Sequence, residues 1–138
     1  MSCAPTFPRP WLAAALTIAS VTALPPVHAH QVWLENAGGQ ARLHFGEFND
    51  NLRETSPGRL DQFKGVPVLE QQRTGAAAQR VEGQLGKDAF VYPAAGTPDT
   101  LFATASYPLI DRSKRNLPAM VWQPSARWVA SLAKPVAP

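Results

Sequence analysis

The sequence is poorest in the residues that do covalent and metal chemistry. It has one cysteine, Cys3, and three histidines, His28, His30 and His44. A lone cysteine makes no internal disulfide, and a closed structural zinc site has too few thiolates to form. There is no Gly-x-Ser-x-Gly elbow, no phosphate-cradling glycine loop and no His-Glu-x-x-His pair, so a non-catalytic protein is expected. No apolar run reaches the ~20 residues of a membrane-spanning helix. Thirteen Lys and Arg stand against ten acids, and they are scattered rather than clustered. That scatter argues against nucleic acid as a partner, despite a pI near 9.4. Internal repeats are missing, and the only low-complexity stretch, Thr74-Gly75-Ala76-Ala77-Ala78, is short enough to be a loop.

What is present begins with an export signal. Trp11 to Leu24 is apolar and uncharged, Arg9 is the only charge before it, and Pro25-Pro26 breaks the run. Val27-His28-Ala29 has the small-x-small form that signal peptidase cuts. Residues 1–29 therefore read as a signal peptide, 30–138 as one mature domain, and the periplasm as its destination. Cleavage removes Cys3, around which no leucine-rich lipobox lies, and makes His30 the new amino terminus.

The mature segment alternates short β-like runs with turn residues. Strands are expected at Gln31–Glu35, Gln40–Phe45, Val68–Gln71, Gln79–Gly83, Ala89–Tyr92, Leu101–Ala105, Ala119–Trp122 and Arg127–Val129. One short helix is expected from Ser56 to Phe63, with Ser56 as N-cap, Pro57 at the first helical position, and Gly65 and Pro67 closing it. Many strands, one small helix and 14 prolines predict an all-β domain, an immunoglobulin-like antiparallel β-sandwich.

In the first hairpin, a loop of Asn36 to Gly39 sets Val32 opposite Leu43 and Leu34 opposite Ala41. That register puts Trp33 and Glu35 on the other face with Arg42 and His44, which is expected to be solvated. A one-residue slip would bring His30 opposite His44 but split the apolar set between faces. The register thus works against a simple two-histidine site, unless the amino terminus bends or bulges.

His30-Gln31-Val32-Trp33-Leu34-Glu35 resembles the mature start of a periplasmic family labelled NikM-like, the nickel-uptake periplasmic components. The segment from Phe45 to Asp61 is similar to the stretch after that family's first hairpin, and 105–110 and 124–128 are fainter echoes. The resemblance implies an exported immunoglobulin-like module linked to nickel or cobalt handling beside an inner-membrane metal transporter. Members look roughly twice as long, so this chain resembles the amino-terminal half and is expected to be a truncated form. Histidine at position 44 also replaces an expected aromatic residue.

The candidate metal ligands are His30, His44, Glu47 and Asp50. After cleavage His30 offers an amine and an imidazole from one residue, a chelating pair suited to copper or nickel. Ni(II) or Co(II) is the expected ion, with Cu(II) as the further candidate. A copper oxidase would need a second histidine, which the hairpin register holds away. Asn49-Asp50-Asn51 is also plain turn chemistry, and its spacing does not fit an EF-hand. Arg53, Glu54 and Asp61 read as surface charges near the helix start. Trp122 and Trp128 read as core residues rather than a sugar platform. Without a metal, the chain would be an adhesion or assembly module using an exposed sheet face.

Overall fold

The computed structural model describes residues 29–93 and 97–131. The expected signal peptide, apart from Ala29, and the carboxy-terminal end of the chain lie outside the described residues. Nine strands follow in order: β1 Gln31–Ala37, β2 Gln40–Glu47, β3 Leu52–Arg53, β4 Val68–Gln72, β5 Gln79–Val81, β6 Gln84–Leu85, β7 Phe90–Pro93, β8 Thr100–Thr104 and β9 Ser125–Val129. They form two antiparallel sheets, β1-β2-β7-β6 with β3 beside β2, and β5-β4-β8-β9. Among the described residues no helix is long and apolar enough to cross a membrane.

The alternation of side chains along each strand builds the core. Leu34, Leu43, Phe45, Phe90 and Tyr92 point inward from the first sheet, and Leu69, Leu101 and Ala103 meet them from the second. Burying each large side chain contributes about 1.5–3 kcal/mol, so the interior can hold the fold without a disulfide. Trp122 and Trp128 pack against this cluster, as expected of core residues. Tyr92 is fully buried, and its hydroxyl donates to the Pro67 carbonyl at 2.7 Å. Burial pushes that hydroxyl's pKa well above its ordinary value, so it remains a donor.

Three expectations need correction. The first hairpin turns on Gly38-Gly39 alone, both with positive φ, 59° and 76°, as a two-residue I′ turn requires. The tighter turn moves the register by two: Val32 pairs with Phe45 and Leu34 with Leu43. A shift of two preserves the faces, so the apolar set still points inward. Second, Ser56–Phe63 is no α-helix. Only Arg59–Gln62 wind, as a 3-10 turn whose N-cap is Gly58. The Ser56-Pro57 peptide is cis, and Asp61 rather than Ser56 does the capping, accepting from the Gly58 N–H at 2.6 Å and the Ser56 hydroxyl at 2.7 Å. Third, Ala119–Trp122 joins no sheet; it makes one antiparallel bridge, Met120 to Ile110. Leu117, Met120 and Val121 are exposed there, so no sheet face holds them.

Candidate functional site

β1 begins where β2 ends, and β3 folds back beside β2. Gln31 pairs with Gly46 and Gly46 with Arg53, so His30 comes level with Glu47 and Glu54 lies beside Phe45, and both carboxylates reach the His30 ring at this end of the sheet. Gly46 makes this possible. Its φ is +148°, and a Cβ there would lie 2.2 Å from the Leu52 carbonyl oxygen. Only glycine lets β3 lie this close.

The His30 ring tilts against Phe45 with centroids 5.0 Å apart. Its Nε2 lies 2.6 Å from Glu54 Oε1 in a hydrogen bond. Arg59 Nη1 is 3.1 Å from the same nitrogen, but both contacts cannot be hydrogen bonds to one Nε2. The carboxylate is closer and takes a proton in a charge-assisted bond, so Nε2–H donates to Glu54. Arg59 stands alongside as a counter-charge, its Nε 3.6 Å from Glu54 Oε1.

The other ring nitrogen is the informative one. Nδ1 lies 2.7 Å from Glu47 Oε1, yet that buried oxygen has no hydrogen-bond partner. The two atoms are close but not aligned along the ring N–H direction. With the proton on Nε2, Nδ1 has no proton to offer that carboxylate.

His44 points to the other face of β2. Its ring stacks on Trp33 with centroids 5.3 Å apart and planes 24° from parallel. Nδ1 is 3.0 Å from the Asp88 carbonyl oxygen, and Nε2 is 3.4 Å from Glu35 Oε2. The residue is 2% exposed, which corrects the expectation of a solvated histidine: Trp33 and the chain before β7 cover it. Glu35 also accepts from Arg53 at 2.8 Å and from the Trp33 indole at 3.1 Å. Burial works against the Glu35 carboxylate, but these hydrogen bonds, with the charges of His44 and Arg53, hold its pKa below the ordinary 4.5.

Of the four expected ligands, then, the fold brings His30 and Glu47 together. It sets His44 on the opposite face and leaves Asp50 in the exposed turn that Asn51 closes by donating to the Phe48 carbonyl at 3.1 Å. Among the described residues no three His, Cys, Asp or Glu side chains converge as a metal centre. The two glutamates touch opposite nitrogens of the His30 ring, Glu47 at Nδ1 and Glu54 at Nε2. Glu54, expected as a surface charge, is part of the site, and Arg59 stands beside it. The signal for Glu54 lay in Asn49-Asp50-Asn51: a tight turn after Glu47 returns the chain antiparallel to β2 and sets position 54 beside 45.

Compared with known proteins, the chain matches no family model, no curated protein sequence and no solved structure.

Proposed function

We propose that this chain is an exported, non-catalytic accessory protein that binds a divalent transition-metal ion, nickel or cobalt, for delivery to an uptake system in the inner membrane. The sandwich is immunoglobulin-like in this reading, a rigid frame for one terminal site. Signal cleavage after Ala29 frees the His30 amine, which forms a chelate ring with Nδ1, and Glu47 supplies the carboxylate. Such a nitrogen-rich donor set suits Ni(II), Co(II) and Cu(II). Glu54 is not a ligand here. It accepts the Nε2 proton and so fixes the tautomer that leaves Nδ1 free, the usual arrangement behind a metal-bound histidine.

The observation that carries the reading is the Glu47 carboxylate oxygen, buried and without a hydrogen bond 2.7 Å from His30 Nδ1. A bound cation would satisfy both atoms at once. Delivery also requires release, and protons compete for the amine and the imidazole, so affinity falls as pH falls.

The test is calorimetry with Ni(II), Co(II) and Cu(II) on protein whose amino terminus is verified by mass. Protein starting at His30 binds tightly, and one extra residue before His30 abolishes tight binding by displacing the amine while keeping the imidazole. His30→Ala does the same. Equal affinity for the His30-initiated and extended forms would reject the site and leave a binding module without metal.

A further inference from the structure

Between β8 and β9 the chain makes an excursion that the sandwich does not need. Its base is fixed: Tyr107 donates to the Trp122 carbonyl and Ala105 to the Pro124 carbonyl, at 3.1 and 2.9 Å. The Tyr107 and Trp122 rings pack edge-on at 5.5 Å. Above them Ile110 and Met120 exchange backbone hydrogen bonds of 2.9 and 3.0 Å, which makes the excursion a hairpin standing off the core. Its tip is a 3-10 turn, Ser113–Arg115.

The composition of this hairpin is that of an interface with no occupant in the fold. Leu109 is 62% exposed and Val121 65%, and Leu117 and Met120 are exposed with them. Arg112, Lys114 and Arg115 stand against a single carboxylate, Asp111, whose Oδ1 accepts from the Ser113 N–H at 2.8 Å. Those four charged residues, with Ile110 and Met120, line an open hollow of about 580 Å³. The Arg112 guanidinium lies over the Met120 sulfur, 3.9 Å away, so cation and apolar surface are presented side by side.

We infer that this hairpin docks on an anionic lipid surface, the apolar side chains entering the headgroup boundary while Arg112, Lys114 and Arg115 meet lipid phosphates. Side chains that project from a narrow hairpin suit the edge of a bilayer, where apolar area and cationic charge act together. An acidic protein partner would better fit a groove, and here Leu109, Leu117 and Val121 are exposed outside the lining of the hollow, with only Ile110 and Met120 inside it. The proposal stands apart from the metal reading, because none of these residues belongs to the His30 site.

The experiment is co-sedimentation with vesicles of phosphatidylcholine, with and without phosphatidylglycerol, in the presence of a chelator. The exported form starting at His30 is used, because the apolar run 11–24 would itself partition into lipid. Binding to the phosphatidylglycerol vesicles, with little to the neutral ones, is expected. It should weaken at about 0.5 M salt and fall about tenfold or more in R112E/K114E/R115E. The hairpin lies outside the core, so this variant should melt like the parent. A second readout is L117W, whose indole emission should shift to the blue on the charged vesicles and be quenched by brominated acyl chains. No vesicle binding, binding unchanged by charge reversal, equal binding to neutral vesicles, or an unshifted L117W emission would overturn the proposal. So would capture of the hairpin by polyglutamate in preference to the vesicles.

Discussion

At the scale of single residues, His30 and His44, the two histidines among the described residues, divide the chemistry. His44 is built in: stacked on Trp33, bonded to the Asp88 carbonyl and shut away from water. Removing it leaves that carbonyl without its ring partner and a gap beneath Trp33. His44→Ala should therefore lower stability by about 1–3 kcal/mol and leave metal affinity unchanged, as denaturant melts and calorimetry on one preparation would show. His30 is half-exposed and poised. Because Glu54 is argued to fix its tautomer, Glu54→Gln should weaken Ni(II) binding about 10–100-fold with little change in melting temperature. Affinity unmoved in E54Q would reduce Glu54 to a bystander. The sequence named His30 and Glu47 because a terminal histidine and a carboxylate near a strand end are visible in one dimension. Glu54 left a fainter trace, only the turn at Asn49-Asp50-Asn51, because its approach to His30 depends on a two-residue strand, β3, too short to leave a periodic pattern.

At the scale of elements, what could be read in advance was parity, and what could not was length. Alternation along Gln31–Glu35 and Gln40–Phe45 assigns every side chain its face, and those faces hold. The turn between them could be drawn with four residues or two, and only the closed structure, with Gly38 and Gly39 both at positive φ, selects two. The expected helix failed for a related reason. Leu60 and Phe63 share an apolar spacing whether the backbone winds as α-helix or as one 3-10 turn, and both are buried. Periodicity over so few residues does not separate the two. Gly46 sits where these elements meet. Gly46→Ala would drive a methyl group into the Leu52 carbonyl, backbone against backbone, with no flexible side chain to yield. The expected outcome is a loss of about 2–4 kcal/mol. Metal affinity should fall with it, because β3 carries Glu54 away from His30. A Gly46→Ala protein that melts and binds like the parent would show that β3 does not position the site.

At the scale of the whole molecule, three depressed carboxylates tie separate parts of the fold together. Glu35 joins β1 to Arg53 on β3 and to His44 on β2. Asp61, held low by the Gly58 N–H and then by the Ser56 hydroxyl, closes the 3-10 turn. Asp111, held low by the Ser113 backbone N–H and side chain, caps the hairpin tip. Each binds its proton less readily when folded than at its ordinary value, 4.5 for the glutamate and 3.8 for the aspartates. The unfolded chain therefore takes up protons first as pH falls, and the stability these groups contribute is present above those values and lost below them. Acid also strips negative charge from a chain that is already +3, adding self-repulsion in the same direction. The melting temperature should thus stay nearly level from about pH 7 to about pH 5 and drop progressively below about pH 4.5. Glu35 is partly open to solvent, so its own share is modest, but it is the share that links three strands. E35Q should start lower at neutral pH and fall less steeply in acid, so that the two curves converge near about pH 3. Melts followed by near-ultraviolet circular dichroism, which reports Trp33 in its stack on His44, would test this directly. Parallel curves for parent and E35Q, or a parent curve flat through the acid range, would mean that the Glu35 network does not hold β1, β2 and β3 together.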